Sequence, residues 1–510
     1  MNPQMNVPKA TKRDWIGLAV IALPCLIYSM DLTVLHLAVP QVSRDLNPSS
    51  AQLLWIIDIY GFMVAGFLIA MGTLGDRIGR RRLLLIGAAA FGLASILAAF
   101  SRSAEMLIAT RALLGVAGAT VAPSTLSLIR NMFHDEHERT RAISIWIIAY
   151  SLGGIVGPLV GGVLLEYFWW GSVFLIAVPV MLLVLVFGPV LLPEYRDPNA
   201  GRADLVSTAM SLVAVLAIIF GLKRIAAEGP GTLALVVMLA GFVIGWLFVR
   251  RQLRLADPLI DLRLFRLPAF SASLATYGST TFLMFGGFLF LPQFLQLVRG
   301  LSPLQAGMWT IPWALAFVVG SWLTPSLAKR MRRATLISAG LVVTAAAYGM
   351  LAVLDADTGF AWFAVASSLM AIGASPVVTL TTDLIVGSAP PERAGAASAI
   401  SETSAEFGGA TGIAVFGSIG VAVYRMMIDD RMPPDVPVDI ADRVRATLGG
   451  AAEAVATLPA HTSQPLLQAS QDAFVRGLQI CAIVSGLGTL ALAVFAAVML
   501  RRMESRHHAT

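Results

Sequence analysis

The chain reads as an all-α polytopic membrane protein of fourteen helices. Three observations carry that reading. Of 510 residues, 57% are hydrophobic and only 13% are charged, against roughly 25% charged residues in soluble proteins. Apolar runs long enough to cross a hydrocarbon core of about 30 Å recur along the whole length. Basic residues collect in alternate loops, the mark of a fixed orientation in a bilayer.

The runs fall at 14–40, 52–75, 82–101, 105–131, 141–166, 169–192, 204–223, 231–250, 268–295, 304–328, 334–354, 359–387, 391–424 and 473–500, numbered here spans 1 to 14. Span 1 follows a short basic tail (Lys9, Lys12, Arg13) and contains Asp31. It lacks a small-residue cleavage site after a short apolar region, so it reads as a retained helix and not a signal peptide. Span 2 carries Asp58 in LLWIIDIYGF and runs into the basic turn GTLGDRIGRRR before span 3. Span 4 holds Arg111 in RALLGVAGA, and span 5 holds GGIVGPLVGG. Span 10 ends at a second basic turn, AKRMRR, and span 13 contains SETSAEFGG with Glu402 and Glu406. Before span 14 lies a long loop, 425–472, whose two amphipathic stretches predict a helical hairpin capping the outer face.

An even count puts both termini on one side. Basic residues in short loops on that side strongly outnumber those opposite, so both termini are expected in the cytoplasm. The net charge of +6 is therefore a topology signal and does not point to nucleic acid. Cys25 and Cys481 lie in apolar runs and make no disulfide framework. The chain has no phosphate-binding G-x-x-x-x-G-K-S/T loop and no catalytic constellation, so it reads as neither an ATPase nor an enzyme, with no cofactor. His134 and His137 lack a defined third ligand, so no metal is expected. His36 reads as a wall residue.

Self-similarity suggests an internal repeat. GGIVGPLVGG (153–162) in span 5 matches GGATGIAVFG (408–417) in span 13, and the basic turns after spans 2 and 10 correspond. Both matches relate span n to span n+8. Such repeated halves are common in transporters. The expected organisation is an N-terminal six-helix bundle (1–203), two inserted helices (204–250), and a C-terminal six-helix bundle (251–510) carrying the 425–472 hairpin.

The turn after span 2 places Gly72 and Gly79 around Asp76, Arg77 and Arg80, a lone acid among bases suited to a charge latch. The pattern G-x-L-x-D-R-x-G-R-R resembles the signature loop of the major facilitator superfamily. In the second copy Lys329 replaces the acid, so the latch is assigned to the first half alone. GGIVGPLVGG, with Gly153, Gly157, Pro158 and Gly161, resembles the span-5 motif of that superfamily's antiporters: small residues allow close helix approach and the proline bends the helix. With DLTVLHLAVPQV (31–42), LLWIIDIYGF and RALLGVAGA, the chain resembles the fourteen-helix drug:proton antiporters over nearly its whole length. Its nearest resemblance there is to exporters of quaternary ammonium compounds and methyl viologen.

That resemblance implies a major facilitator fold in a bacterial inner membrane. It implies proton coupling and cation recognition by Asp31, Asp58, Glu402 and Glu406. Some such relatives carry a further acid in span 10, and this chain has none between Ala306 and Leu327.

Depth agrees with this. Helical rise puts Asp31 roughly 13 Å, and Asp58 and Arg111 roughly 9 Å, from the outer ends of their spans. Glu402 and Glu406 fall near mid-depth, one turn apart on one helix face. Ionisable side chains there are costly and mark function, and two neighbouring acids titrate as a pair. Competition of proton and cation for that pair is itself an antiport mechanism. Trp55, Tyr60, Tyr277, Phe282, Phe285, Trp309 and Trp313 are candidate stacking partners for planar cations. The expected function is proton-coupled efflux of lipophilic mono- and dications (quaternary ammonium compounds, dyes and biguanide-type antiseptics) by a lipid-embedded monomer. The alternative is a dedicated exporter of one endogenous metabolite or antibiotic.

Overall fold

The structure is a computed structural model describing residues 9–194, 196, 204–255, 258, 262–388, 394–433, 436–455 and 458–507. Among the described residues, fourteen helices are long and apolar enough to cross a membrane: Lys12–Leu46, Ser50–Leu68, Arg80–Ala99, Ala104–Met132, Arg141–Tyr167, Ser172–Leu191, Leu205–Ile225, Thr232–Gln252, Pro268–Val298, Pro303–Ala328, Arg333–Leu351, Phe360–Ile385, Ile400–Asp429 and Thr462–Arg501. They correspond one for one to spans 1–14. Long unbroken helices are what the sequence and a bilayer demand together, because no water is present there to satisfy a free peptide group.

Spans 1–6 pack among themselves, as do spans 9–14. Spans 7 and 8 pair with each other, and span 7 also packs on spans 2 and 13. Glycine lets spans 7 and 8 approach: a side chain at Gly241 would meet the Ala214 carbonyl, and one at Gly221 the Ala234 carbonyl. At the side bearing both termini, Asp204 caps span 7 through Ser207 and accepts an ion pair from Arg251 of span 8 at 3.1 Å.

Glycines also set the packing of spans 1 and 5 and of spans 9 and 13. A Cβ on Gly153 would strike the Leu26 carbonyl of span 1, one on Gly157 would crowd Thr33 and Met30, and one on Gly161 would strike Val34. In the other half, Gly408 and Gly412 of span 13 sit on the carbonyls of Gly278 and Phe282 in span 9. Glycines four residues apart thus seat span 5 on span 1 and span 13 on span 9, leaving backbone against backbone.

The basic turn after span 2 is closed by Gly79, whose φ of 109° suits glycine. Arg80 is buried and donates to the Pro123 carbonyl at 3.3 Å. The Arg81 and Arg82 guanidiniums lie 3.5 and 3.9 Å from Glu194, past the end of span 6. Gly72 faces Pro123 loosely, and Arg77 is exposed. The Asp76 side chain, and with it the expected latch, lies outside the described residues. Glu194 is the acid that the sequence reading missed, because its partners are more than a hundred positions away.

The loop before span 14 departs from a hairpin. Helices Val438–Ala446 and Leu448–Ala454 are separated by extended Thr447, whose hydroxyl accepts from the Gly450 amide. The second amphipathic stretch is instead the beginning of one long helix, Ala460–His507. Leu466, Ser470, Ala473, Phe474 and Leu478 form a single buried stripe, and no breaker separates them from the membrane span, so the helix continues. The two short helices cap the side opposite the termini, the far side. Ser50 of span 2 donates to the Ala446 carbonyl at 2.5 Å, Tyr424 of span 13 donates to Val444, and Gly449 sits against Ser43 of span 1.

Candidate functional site

A cavity of about 570 Å³ lies at mid-depth between the two bundles. Its wall is mostly apolar, and its charged side chains are Asp58, Arg111, Glu402 and Glu406. Spans 1, 2, 4 and 5 supply one side, and spans 9, 10, 12 and 13 the other.

The halves meet on the far side. There Gly162 of span 5 abuts Pro303 and Leu304, Gly307 abuts the Pro158 carbonyl, and Gln296 donates to the Leu37 carbonyl at 3.1 Å. Spans 2 and 13 touch near mid-depth through Gly61 on Ala410 and farther out through Leu54 on Gly417. These contacts seal the cavity at the far side.

Each acid reaches the cavity differently. Arg111 is fully buried, with its guanidinium 2.6 Å from Asp31 and donating to the carbonyls of Ile56 and Ile57. It also covers the Tyr60 ring at 4.9 Å. Asp31 is not on the wall and communicates with it through Arg111. Asp58 is on the wall, but its Oδ1 lies 2.8 Å from Lys223 of span 7. The Lys223 ammonium in turn sits 3.9 Å above the Trp55 ring. Asp58 is thus no free outer-half charge, as depth alone suggested. Lys223 escaped sequence reading because GLKRI stands near the end of an inserted span and resembles an ordinary interfacial anchor.

Glu402 and Glu406 both line the cavity. Glu406 accepts from the Tyr28 hydroxyl at 2.8 Å, a bond from span 1 to span 13. Among the described residues neither glutamate forms an ion pair. Tyr28 packs against Tyr60 and Tyr150, at ring distances of 6.2 and 5.9 Å. Tyr150 is on the wall.

Three of the seven candidate aromatics, Tyr277, Phe285 and Trp313, line the cavity. The other four are engaged elsewhere. Trp55 lies under Lys223, Tyr60 under Arg111, and Phe282 packs on Phe416 at 5.5 Å. Trp309 stacks on Phe360 at 5.1 Å. Helical spacing turned these rings toward other helices, which depth could not reveal. Phe288 and Phe317 take their places on the wall, with Phe317 stacked on Trp313. His36 is buried against Phe288. No group of three metal-binding side chains occurs among the described residues.

A sequence profile of the Major Facilitator Superfamily matches residues 21–413. The chain belongs to that superfamily. It is a multi-pass membrane transporter, not an enzyme. It is similar to the multidrug efflux pump LfrA of Mycolicibacterium smegmatis, with 43% identity over 98% of this chain and 99% of that one. It is 36% identical to the methyl viologen resistance protein SmvA of Salmonella typhimurium, covering 94% of this chain and 97% of the relative. A tetracenomycin C resistance and export protein of Streptomyces glaucescens is 31% identical over 95% and 91% of the two chains. Among solved structures, a bacterial homolog of the human lysosomal transporter Spinster shares the fold. Its TM-score is 0.68 at 17% identity, over 96% of this chain and 98% of that chain.

Proposed function

We propose that this transporter is a multidrug efflux antiporter of the bacterial inner membrane that exports lipophilic mono- and dications in exchange for protons. The observation that carries the reading is the pair Glu402 and Glu406 on the wall of the cavity. Asp31 has Arg111 and Asp58 has Lys223. The two glutamates are left as the negative charge on the wall without a paired base.

A cation entering this space meets an apolar wall, aromatic rings that can stack on it (Tyr150, Tyr277, Phe285, Phe288, Trp313 and Phe317), and two carboxylates. In low dielectric their attraction is strong, and a proton competes for the same charge. Loading with drug then expels protons, and loading with protons expels drug. Asp31 and Arg111 sit one layer behind, where a helix movement that separates them changes the charge felt by the wall.

The basic loops support placing both termini in the cytoplasm. With that orientation the far-side seal is the periplasmic gate, and the opposite side of the cavity admits drug from the cytoplasm. Residues 1–203, 204–250 and 251–510 act as two rocking halves and an inserted pair. The site is complete within one chain, which supports a working monomer. The names of the LfrA and SmvA relatives support drug and methyl viologen efflux as the substrate range.

The test is efflux from cells and uptake into everted vesicles, with and without a pH gradient, for the Glu402→Gln and Glu406→Gln variants and the double variant. Glutamine keeps size and loses charge. Cation transport should fall at least about tenfold, one 1.4 kcal/mol step, while neutral drugs are less affected. Undiminished cation transport in all three variants would remove the pair from the site. Transport of one compound alone from a varied panel would favour a dedicated exporter.

A further inference from the structure

We infer that Lys223, contributed by the inserted span 7, is a specificity-determining residue that neutralises Asp58 and holds the cavity to two uncompensated acids, setting its preference between monocations and dications. The inference rests on the cation-export reading and adds to it a role for an inserted helix.

Lys223 is 1% exposed, and its side chain reaches from span 7 to Asp58 and Trp55 of span 2. Its ammonium donates to Asp58 Oδ1 at 2.8 Å and rests on the Trp55 ring. Asp58 Oδ2 is buried and has no partner, although the residue forms part of the cavity wall. The carboxylate is thus held from behind by a cation of the protein itself, while its second oxygen is left unsatisfied. A drug's cationic group approaching Asp58 meets a site whose negative charge is already balanced.

Span 7 is fixed where this matters. Ile219, one turn before Lys223, packs in a cluster with Phe62 of span 2 and with Ala410 and Ala414 of span 13, while Leu212 fills the space beside Gly66 of span 2. The ammonium therefore reaches Asp58 from a helix that also touches the glutamate-bearing span. With Lys223 in place, the wall offers two free carboxylates, enough for a dication, or for a monocation and one proton. Without Lys223 it would offer three.

The experiment uses two phenanthridinium dyes, ethidium as the monocation and propidium as the dication, because they share a ring system. Their equilibrium affinities are measured on the purified full chain at one pH. Lys223→Met should raise propidium affinity relative to ethidium by about tenfold, which is about 1.4 kcal/mol. Asp58→Asn should shift the ratio the other way, because it leaves an uncompensated ammonium. The double variant removes both charges together and should restore the wild-type ratio, and Lys223→Arg should keep it.

Should Lys223→Met fail to fold, Asp58→Asn and the double variant still decide, since the double leaves no lone buried ion. An unchanged ratio in the single variants, or a shift that persists in the double, overturns the assignment. Because binding is read without a gradient, a failure of proton coupling leaves this result intact. Wild-type protein that binds neither dye would overturn the cation reading and this assignment with it.

Discussion

The Tyr28 hydroxyl of span 1 donates to Glu406 of span 13 at 2.8 Å, joining the two halves of the transporter beside the cavity. Such a hydrogen bond contributes about 1.5–3 kcal/mol while Glu406 is ionised and about 0.5–1.5 kcal/mol while it is protonated. It also links a glutamate of the proposed drug site to the helix that carries Asp31. Any movement that separates the halves at this depth must break it.

Tyr28→Phe should therefore loosen the far-side-closed arrangement without emptying the cavity of charge. The expected result is higher accessibility from the far side, read by labelling a cysteine placed in the closed seal at Gln296. Cation transport should be slowed by about tenfold, one 1.4 kcal/mol step. Unchanged labelling and transport would show that the bond does not hold the halves.

Asp31→Asn should abolish drug-induced proton release. The substitution leaves the Arg111 guanidinium buried without its counter-charge, and breaking such a pair costs about 3–5 kcal/mol. The wall should then carry a fixed positive charge that repels cationic drugs. Proton release on drug addition, followed with a pH dye on purified protein, checks this. Normal release would take Asp31 out of the proton path.

Gly157→Leu and Gly412→Leu should act alike, because each glycine seats its span closely on another. A side chain at Gly157 meets Met30 and Thr33, and one at Gly412 meets the Phe282 carbonyl. Overpacking of this sort costs about 1–3 kcal/mol, read as a fall in melting temperature of the detergent-solubilised protein. Gly349, which has open space around it, should tolerate alanine. A tolerant Gly157 would contradict the close seating of spans 1 and 5.

Dication efflux should depend more steeply on pH than monocation efflux. One proton exchanged for one monocation moves no net charge, so only the pH gradient drives it, at about 1.4 kcal/mol per pH unit. A dication leaving for one proton works against an inside-negative potential at about 2.3 kcal/mol per 100 mV. Useful dication export therefore needs at least two protons, and Glu402 and Glu406 are the two acids free to carry them. Proton-to-substrate ratios in proteoliposomes check the scheme. A ratio of one for both classes would rule it out.

The sequence by itself determined the all-α class, the fourteen spans and the presence of four acids within them. Each follows from local quantities: the length of an apolar run, the period of a helix, the position of a charge along it. Glu402 and Glu406 stood out because a bilayer penalises every unexplained carboxylate, and no base stands close to them in the sequence of span 13. Tertiary structure alone decided which partners those acids have. Depth along a helix says nothing of azimuth, so Trp55 and Tyr60 turned out to support Lys223 and Arg111 while Tyr277 faces the cavity. The span-7 lysine became the partner of Asp58 only because the inserted pair packs against spans 2 and 13. Likewise, the final helix swallowed half of the expected hairpin because its buried stripe runs on unbroken from Leu466 into the membrane. Pairing across 165 residues, as between Asp58 and Lys223, is a property of packing, and no local pattern records it.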